Sequence, residues 1–182
     1  MRNSQRREVI MAANVWLDVD DGISPKGLPT EVDCTRYVDA VLRALSITQP
    51  CSVDIRIVSK EEGRELNAQY RDKNYATNVL SFPADLPEAL LAELDERPLG
   101  DLAICADVVA TEAHEQGKPL ATHWAHMIVH GSLHLLGYDH IELDDAARME
   151  PLELEILSCL GIDNPYDDDL TNNALEEGKT SP

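Results

Sequence analysis

The chain has 182 residues, of which 43% are hydrophobic and 27% are charged, and this near-average composition excludes a wholly disordered chain. Aromatic residues make up only 4%, which argues against a platform of stacked aromatic side chains for single-stranded nucleic acid. The formal net charge of -19 excludes a protein that coats duplex nucleic acid by neutralising its phosphates, so any contact with nucleic acid needs a local basic site.

Hydrophobic periodicity and turn residues predict four strands and six helices. In chain order these are strand 14–19, helix 30–47, strand 51–58, helix 59–71, strand 77–82, helix 88–95, strand 100–107 and helices 107–116, 120–136 and 144–160. Thr30 and Ser59 are the expected N-caps, and Gly137 is expected to end the fifth helix. We expect Pro151 to kink or split the sixth. Strands interleaved with helices predict an α+β fold, with a small mixed four-stranded sheet covered by about five to six helices.

The domain limits follow from where this pattern starts and stops. We expect one catalytic domain over residues 14–166, an N-terminal leader over residues 1–13 and an acidic C-terminal tail over residues 167–182. From residue 141 to residue 182 there are twelve acidic and two basic residues. We interpret this surplus as a solvated surface that aids solubility.

The cysteine pattern and the lack of a long apolar run bear on the compartment. The four cysteines form no C-x-x-C pair and lie in apolar segments, so we expect reduced, buried thiols. No apolar run reaches 18 residues, and the basic start lacks the apolar centre of a secretory signal. We therefore expect a cytoplasmic protein that does not bind membranes.

Five of the six histidines lie between residues 123 and 140. His123, His126, His130 and His134 follow one another at spacings of three or four residues, which places them on one face of the predicted fifth helix. For His123 and His126 we expect ordinary surface or hydrogen-bonded histidines. A helix face with four polar imidazoles is poorly suited to a hydrophobic core, so we expect some of these histidines to have a role other than packing.

His130 and His134 are followed by Gly137 and His140 in the run HGSLHLLGYDH. Two histidines at positions i and i+4 can reach one cation from the same helix face. A glycine that ends the helix can turn the chain so that His140 returns to the same point. Three imidazoles leave one position of a tetrahedral zinc open, as in a catalytic site. We therefore predict a metal site at His130, His134 and His140, for which Ni²⁺ and Cu²⁺ are alternatives to Zn²⁺.

The histidine spacing is similar to that of the metzincin proteases, whose general base is a glutamate directly after the first histidine. Gly131 occupies that position in this chain. Because the base for peptide hydrolysis is missing, we expect no protease activity, although a bound metal can still activate water.

A second cluster, Tyr70-Arg71-Asp72-Lys73 followed by TNVLSFP at residues 77–83, favours a phosphate substrate. Arg71 lies where a helix ends before a strand, and a guanidinium can bind two oxygens of a phosphodiester. The alternative is a helix-end arginine that only complements the helix dipole. We expect Arg71 to act in catalysis and Lys73, Asn78 and Ser81 to bind substrate.

These segments together resemble the YbeY family of bacterial and organellar endoribonucleases. The resemblance is carried by the run 130–140, by Gly100-Asp101 and by Tyr70-Arg71 with residues 77–83, and it covers about residues 14–166. Two departures stand out: Lys73-Asn74-Tyr75-Ala76-Thr77 replaces the usual Lys-Asp-Lys-Pro-Thr, and Pro151 lies in a final helix that is usually continuous.

The resemblance implies an α+β fold with a zincin-like three-histidine site at a helix end, usually assigned to zinc. It implies metal-dependent cleavage of single-stranded RNA, with Arg71 as the functional arginine. The implied role is late maturation of the 3′ end of small-subunit (16S-type) rRNA and ribosome quality control. Implied partners are RNA, the small ribosomal subunit, a small-subunit ribosomal protein and an assembly GTPase. Two alternatives stay open: a non-catalytic assembly or fidelity factor with a structural metal, and a metal-dependent hydrolase of another substrate.

Overall fold

The structure, a computed structural model, describes residues 13–139 and 143–166. In these ranges the strands are β1 (Asn14–Val19), β2 (Cys51–Val58), β3 (Val79–Pro83) and β4 (Arg97–Cys105). The helices are α1 (Glu31–Ala44), α2 (Lys60–Arg71), α3 (Glu88–Leu91), α4 (Ala106–Glu115), α5 (Leu120–Leu135) and α6 (Leu143–Cys159). The sheet order is β1-β2-β4-β3; β1, β2 and β4 run parallel, and β3 pairs antiparallel with β4 at the edge. The predicted α+β fold with a mixed four-stranded sheet is confirmed.

The helix ends follow from capping residues that are visible in the sequence. Thr30 accepts a hydrogen bond from the backbone N–H of Asp33 (3.1 Å), whose carboxylate in turn accepts from the backbone N–H of Thr30. Ser59 likewise accepts from the N–H of Glu62 at the start of α2. After α5, Gly137 has a φ of 92°, a left-handed conformation that costs glycine little. These local features mark where α1 and α2 begin and where α5 ends.

The predicted limits of the last two strands need correction. β3 begins at Val79, two residues later than predicted, and it includes Pro83. β4 begins at Arg97, three residues earlier than predicted, because Pro98 and Gly100 resemble a loop in sequence but pair with β2 across a register shift. Proline is tolerated in β3 because this strand lies at the edge of the sheet.

Pro151 does not split the sixth helix, contrary to that expectation. α6 continues from Leu143 to Cys159 with the proline inside it. Pro151 is exposed, whereas Met149, Ile156 and Leu157 are buried against the core. The apolar contacts on the opposite side hold the helix to α1 and α5, and a carbonyl freed on the exposed side can bond to water.

The core lies mainly on one face of the sheet, under α1, α5 and α6. Its centre contains inward side chains of β2 and β4 and of α5, namely Ile55, Ile57, Leu102, Ile104, Trp124, Ile128 and Leu133. A smaller cluster on the other face consists of Val58, Leu80, Ala103 and Cys105, with Leu66 of α2 packed against it. No helix within the described ranges is long and apolar enough to span a bilayer.

All four cysteines are free, and three of them are buried: Cys34, Cys51 and Cys105. Burial raises the pKa of the Cys34 thiol to about 12, which suits an inert packing residue. The expectation of a buried thiol is wrong for Cys159, which is exposed. Cys159 is the last residue of α6, where the helix end leaves it exposed.

Candidate functional site

A cleft with a volume of about 650 Å³ lies between the end of α2, strand β3 and the end of α5. It is lined by Arg71, Thr77, Asn78, Val79, Leu80, Ser81, Pro83, His130, His134, Gly137, Tyr138 and Asp139. The two sequence segments that were singled out separately, one around Arg71 and one around the histidines, therefore form the walls of one cleft.

Gly131 brings α5 close enough to the sheet to form this cleft. A Cβ atom at this position would lie 2.9 Å from Cδ2 of Leu102 and 3.1 Å from Cγ2 of Val79. The carbonyl of Gly131 also accepts a hydrogen bond from Oγ of Ser81 on β3 (3.2 Å). Position 131 therefore faces the sheet, and a side chain there would require Leu102 to shift. A residue at this position points towards the sheet and not into the cleft, so it is poorly placed for the role of the metzincin glutamate.

The imidazoles of His130 and His134 meet at the cleft. Their Nε2 atoms lie 3.0 Å apart. Because each nitrogen bound to zinc lies about 2.0–2.1 Å from the ion, two nitrogens at this separation can reach the same ion. The donor set therefore fits a divalent metal. His140, the third predicted ligand, lies outside the described residues.

Behind His130, a carboxylate on α6 contacts two histidines of α5. Oε1 of Glu153 lies 2.6 Å from Nε2 of His126, and Oε2 lies 2.8 Å from Nδ1 of His130. The phenol of Tyr166 donates to Oε1 of Glu153 (2.6 Å). The ligand atoms of His126, His130 and Glu153 lie within 4.8 Å of one another, so these three residues could also hold a metal ion.

Glu153 is ionised in this environment, although its side chain is only 1% exposed. Burial alone would raise the pKa of its carboxyl, but hydrogen bonds from His126 and His130 hold that pKa well below its usual range. An ionised carboxylate only accepts hydrogen bonds. The network therefore assigns the proton of His126 to Nε2 and that of His130 to Nδ1, which leaves Nε2 of His130 with its lone pair towards His134.

His123 has a different carboxylate partner, Glu112 of α4. Nε2 of His123 lies 2.8 Å from Oε2 of Glu112, and Nδ2 of Asn78 donates to both oxygens of the same carboxylate at 3.2 Å. Burial lowers the pKa of His123. His123 and His126 are both buried, so they are hydrogen-bonded core residues rather than surface residues.

Arg71 ends α2 at the opposite wall of the cleft. Its Nη1 donates to the carbonyl of Tyr70 (3.2 Å) and its Nη2 to the carbonyl of Ser81 (3.1 Å). The guanidinium carbon lies 5.8 Å from the ring centre of Phe82. Among the described residues no carboxylate forms an ion pair with Arg71. The guanidinium is thus held in place by neutral groups, and its positive charge can interact with an anion in the cleft.

The turn after Arg71 is fixed by Asn67, which is buried within α2. The carbonyl of Asn67 accepts from the backbone N–H of Lys73 (3.2 Å), and its Nδ2 donates to the carbonyl of Tyr75 (2.7 Å). Oδ1 of Asn74 accepts from Nη1 of Arg64 (2.7 Å). The loop that departs from the family pattern is therefore held to α2 by hydrogen bonds, without the usual proline.

The three predicted substrate-binding residues differ in position. Asn78 and Ser81 line the cleft, but their side chains already bond to Glu112 and to the carbonyl of Gly131. Lys73 is exposed and is not among the residues that line the cleft. Contact of these three residues with a substrate stays a prediction.

The sequence analysis missed the acidic residues Glu112 and Glu153 and the aromatic residue Tyr166. A signal was present for Glu153, which lies four residues after Met149 and three before Ile156, in phase with the buried side of α6. A charged residue in an apolar stripe needs a buried partner. Which partner it has cannot be read from α6, because the histidines belong to another helix.

Comparison with known proteins places the chain among related sequences. The family model described as Endoribonuclease YbeY matches residues 28–161. A relative from Cellvibrio japonicus is 47% identical over 152 residues, covering 84% of this chain and 83% of the relative. Relatives from Alkalilimnicola ehrlichii and Pseudomonas putida W619 are 55% and 58% identical, covering 77% and 78% of this chain and 83% and 92% of the relatives. All three are named Endoribonuclease YbeY.

The fold also matches a solved structure. The solution structure of TM1509 from Thermotoga maritima superposes with a TM-score of 0.53 and covers 92% of this chain and 99% of its own. At 22% identity this match bears on the fold alone. The family model and the close relatives decide the family, and the chain belongs to the YbeY family.

Proposed function

We propose that this protein is an endoribonuclease that cleaves single-stranded RNA with one divalent metal ion, Zn²⁺ by expectation, held by His130, His134 and His140. The observation that carries the proposal is that Arg71, without an ion-pair partner among the described residues, lines the same cleft as His130 and His134. The relatives' name, Endoribonuclease YbeY, supports RNA as the substrate.

The chemistry required is hydrolysis of a phosphodiester, which carries negative charge that increases towards the transition state. Arg71 binds the phosphate through its planar fork and stabilises this charge. The carbonyl of Ser81 and the ring of Phe82 hold the guanidinium, so little reorganisation is needed when substrate binds. A divalent ion, when held by these imidazoles, would supply Lewis acidity for the attack of water on phosphorus at neutral pH, and the P–O bond to one ribose oxygen would break.

The biological role we propose is maturation of the 3′ end of small-subunit rRNA and quality control of the ribosome in the cytoplasm. The net charge of -19 repels free RNA over long distances. Delivery by the small subunit, one of its basic proteins and an assembly GTPase would offset this repulsion. The exposed acidic side chains of α6, Glu150 and Glu155, would then face protein partners or solvent, whereas Met149, Ile156 and Leu157 of the same helix are buried.

Cleavage of a fluorescent single-stranded RNA by full-length, zinc-loaded protein tests the role of Arg71. We expect Arg71→Ala to lower the rate about 100-fold or more, as for loss of one donor to a developing oxyanion. Arg71→Lys keeps the charge but loses the fork, so it should not restore full activity. Arg43→Ala is the matched control, because Arg43 lies in the last turn of α1 as Arg71 lies in the last turn of α2.

Equal loss in the Arg43 and Arg71 variants would assign Arg71 to the helix dipole. Wild-type cleavage by Arg71→Ala would remove it from the mechanism.

The ribosomal role needs a comparison of substrates. Naked precursor rRNA and the assembled small subunit are incubated with the protein at equal salt, and cleavage at the mature 3′ end is measured. We expect slow, unselective cleavage of naked RNA and selective cleavage on the particle. Equal rates and selectivity would contradict delivery by partners. Absence of cleavage on both substrates by zinc-loaded protein would instead support a non-catalytic assembly factor with a structural metal.

A further inference from the structure

The carboxylate of Glu153 forms the centre of a buried network that reaches the proposed metal site from behind. It accepts hydrogen bonds from Nε2 of His126 (2.6 Å), Nδ1 of His130 (2.8 Å) and the phenol of Tyr166 (2.6 Å). The three donors come from two different parts of the chain, α5 and the segment after α6. Three hydrogen bonds to one carboxylate fix its position and orientation closely.

The consequence of this network for His130 is directional. With Nδ1 donating to Glu153, the ring cannot flip without losing that bond, and Nε2 points to Nε2 of His134 at 3.0 Å. Imidazole ligands of metals in other proteins commonly donate their second nitrogen to a carboxylate in this way, which fixes the tautomer and raises the basicity of the ligand.

We propose that Glu153 is a positioning residue that sets the ring orientation and tautomer of His130 for metal binding, and that His126 and Tyr166 hold Glu153 in place. This inference rests on the proposed ligand set of the endoribonuclease. It assigns Glu153 no contact with the ion or with RNA.

The alternative is that His126, His130 and Glu153 themselves hold the ion. Both oxygens of Glu153 already accept hydrogen bonds from these histidines at 2.6–2.8 Å, so a metal between them would displace both bonds. Neither His126 nor Glu153 lines the cleft, and Glu153 is 1% exposed. An ion in that position would be shielded from a substrate by the ring of His130.

Zinc affinity of the full-length protein, measured by competition with a chromogenic chelator, tests the positioning role. We expect Glu153→Gln to weaken Zn²⁺ binding about 10–100-fold, as for other partners of metal-bound histidines. In a glutamine an NH2 group replaces one of the two carboxylate oxygens, so a donor would face the N–H of one of the two histidines that now bond to Oε1 and Oε2. Tyr166→Phe removes one of three bonds to Glu153 and should weaken binding by a smaller factor. Glu155→Gln, on the exposed side of the same helix, is the matched control and should bind Zn²⁺ as the wild type does.

A second readout follows the tautomer directly. In zinc-loaded protein with ¹⁵N-labelled histidine, nuclear magnetic resonance should show the proton of His130 on Nδ1, with slow exchange that Glu153→Gln accelerates. This measurement on the wild type alone decides the point if Glu153→Gln fails to fold. A proton on Nε2 of His130, or wild-type zinc affinity in folded Glu153→Gln, would overturn the proposal.

The ligand alternative has its own test. If His126, His130 and Glu153 hold the ion, His134→Ala should bind Zn²⁺ with wild-type affinity, and that result would also overturn the positioning role. None of these readouts depends on RNA. Weakened zinc binding in Glu153→Gln without RNA cleavage by the wild type would leave the positioning role intact and remove the endoribonuclease function. RNA cleavage by the wild type together with wild-type zinc affinity in Glu153→Gln would support the endoribonuclease function and remove the positioning role of Glu153.

Discussion

The two halves of α5 carry the same residue on the same face and use it differently. In the first half, His123 and His126 are buried, and each bonds to a carboxylate from a neighbouring helix. In the second half, His130 and His134 are partly exposed and line the cleft with Arg71. The helix itself does not make this difference, because the spacing of three or four residues continues throughout.

The difference comes from what packs against each half. α4 and α6 supply Glu112 and Glu153 to the first half, so its histidines complete buried polar networks. Opposite the second half, β3 and the end of α2 leave a cleft with a volume of about 650 Å³. His130 belongs to both regions, since Nδ1 bonds to Glu153 while Nε2 lies near His134. The packing of the opposing elements therefore decides which histidines of the stripe are open to the cleft.

The largest effect on function should come from the open half. We expect His134→Ala to lower zinc affinity by more than the 10–100-fold that loss of a positioning partner costs and to abolish RNA cleavage. Because His134 is only partly buried, the unfolding free energy without metal should change by less than about 1 kcal/mol. Metal analysis, a cleavage assay and thermal unfolding of chelator-treated protein check these outcomes. A variant that keeps both its ion and its activity would contradict the assignment of His134.

The largest effect on stability should come from the buried half. His126→Ala leaves Glu153, which is 1% exposed, with fewer hydrogen bonds and opens a cavity beside it. Removing a hydrogen-bond donor from a buried charged group costs about 1–3 kcal/mol or more, so we expect a loss of at least this order in denaturant unfolding. An unfolding free energy within about 1 kcal/mol of the wild type would show that His126 resembles the open half more than the buried one.

Gly131 lies between the two halves, where α5 approaches the sheet closely, and adding a side chain there should have an intermediate effect. Gly131→Ala places a Cβ 2.9 Å from Leu102, and overpacking of this kind costs about 1–3 kcal/mol. The gain in helix propensity returns up to about 1 kcal/mol. We expect a net loss of about 1 kcal/mol in thermal unfolding, with zinc still bound. A stabilised variant would show that α5 can move away from β4 without penalty.

The smallest effect concerns the pH dependence of stability at His123. Burial lowers the pKa of this histidine below its value of 6.5 in the unfolded chain, so the unfolded state takes up more protons as the pH falls below about 6.5. The contribution to stability is complete above that pH and is lost as the pH falls through the folded pKa. His123→Gln should therefore flatten the slope of unfolding free energy against pH below about pH 6.5. An unchanged slope would mean that His123 does not contribute to it.

Structural features that depend only on residues close together in the chain could be predicted from the sequence. The caps Thr30 and Ser59, the left-handed Gly137 and the alternating apolar residues of β1 and β2 all act within a few residues, so their structures could be predicted correctly. The run from 130 to 140, with the segment around Arg71, was specific enough to predict the family. The division into residues 14–166, a leader and a tail stays a prediction, because residues 1–12 and 167–182 lie outside the described ranges.

The tertiary structure alone decided which histidines are buried and which line the cleft. Residues on one helix share a face because of its 3.6-residue period, but their surroundings come from elements that are distant in sequence. Glu112 lies 11 residues before its histidine partner, and Glu153 lies 27 and 23 residues after its two. Likewise, Arg71 and the histidines of α5 line one cleft because β3 packs between α2 and α5. Gly131 allows α5 to approach the sheet closely at this point. Pairings between distant residues depend on how the whole chain packs, and no local periodicity encodes them.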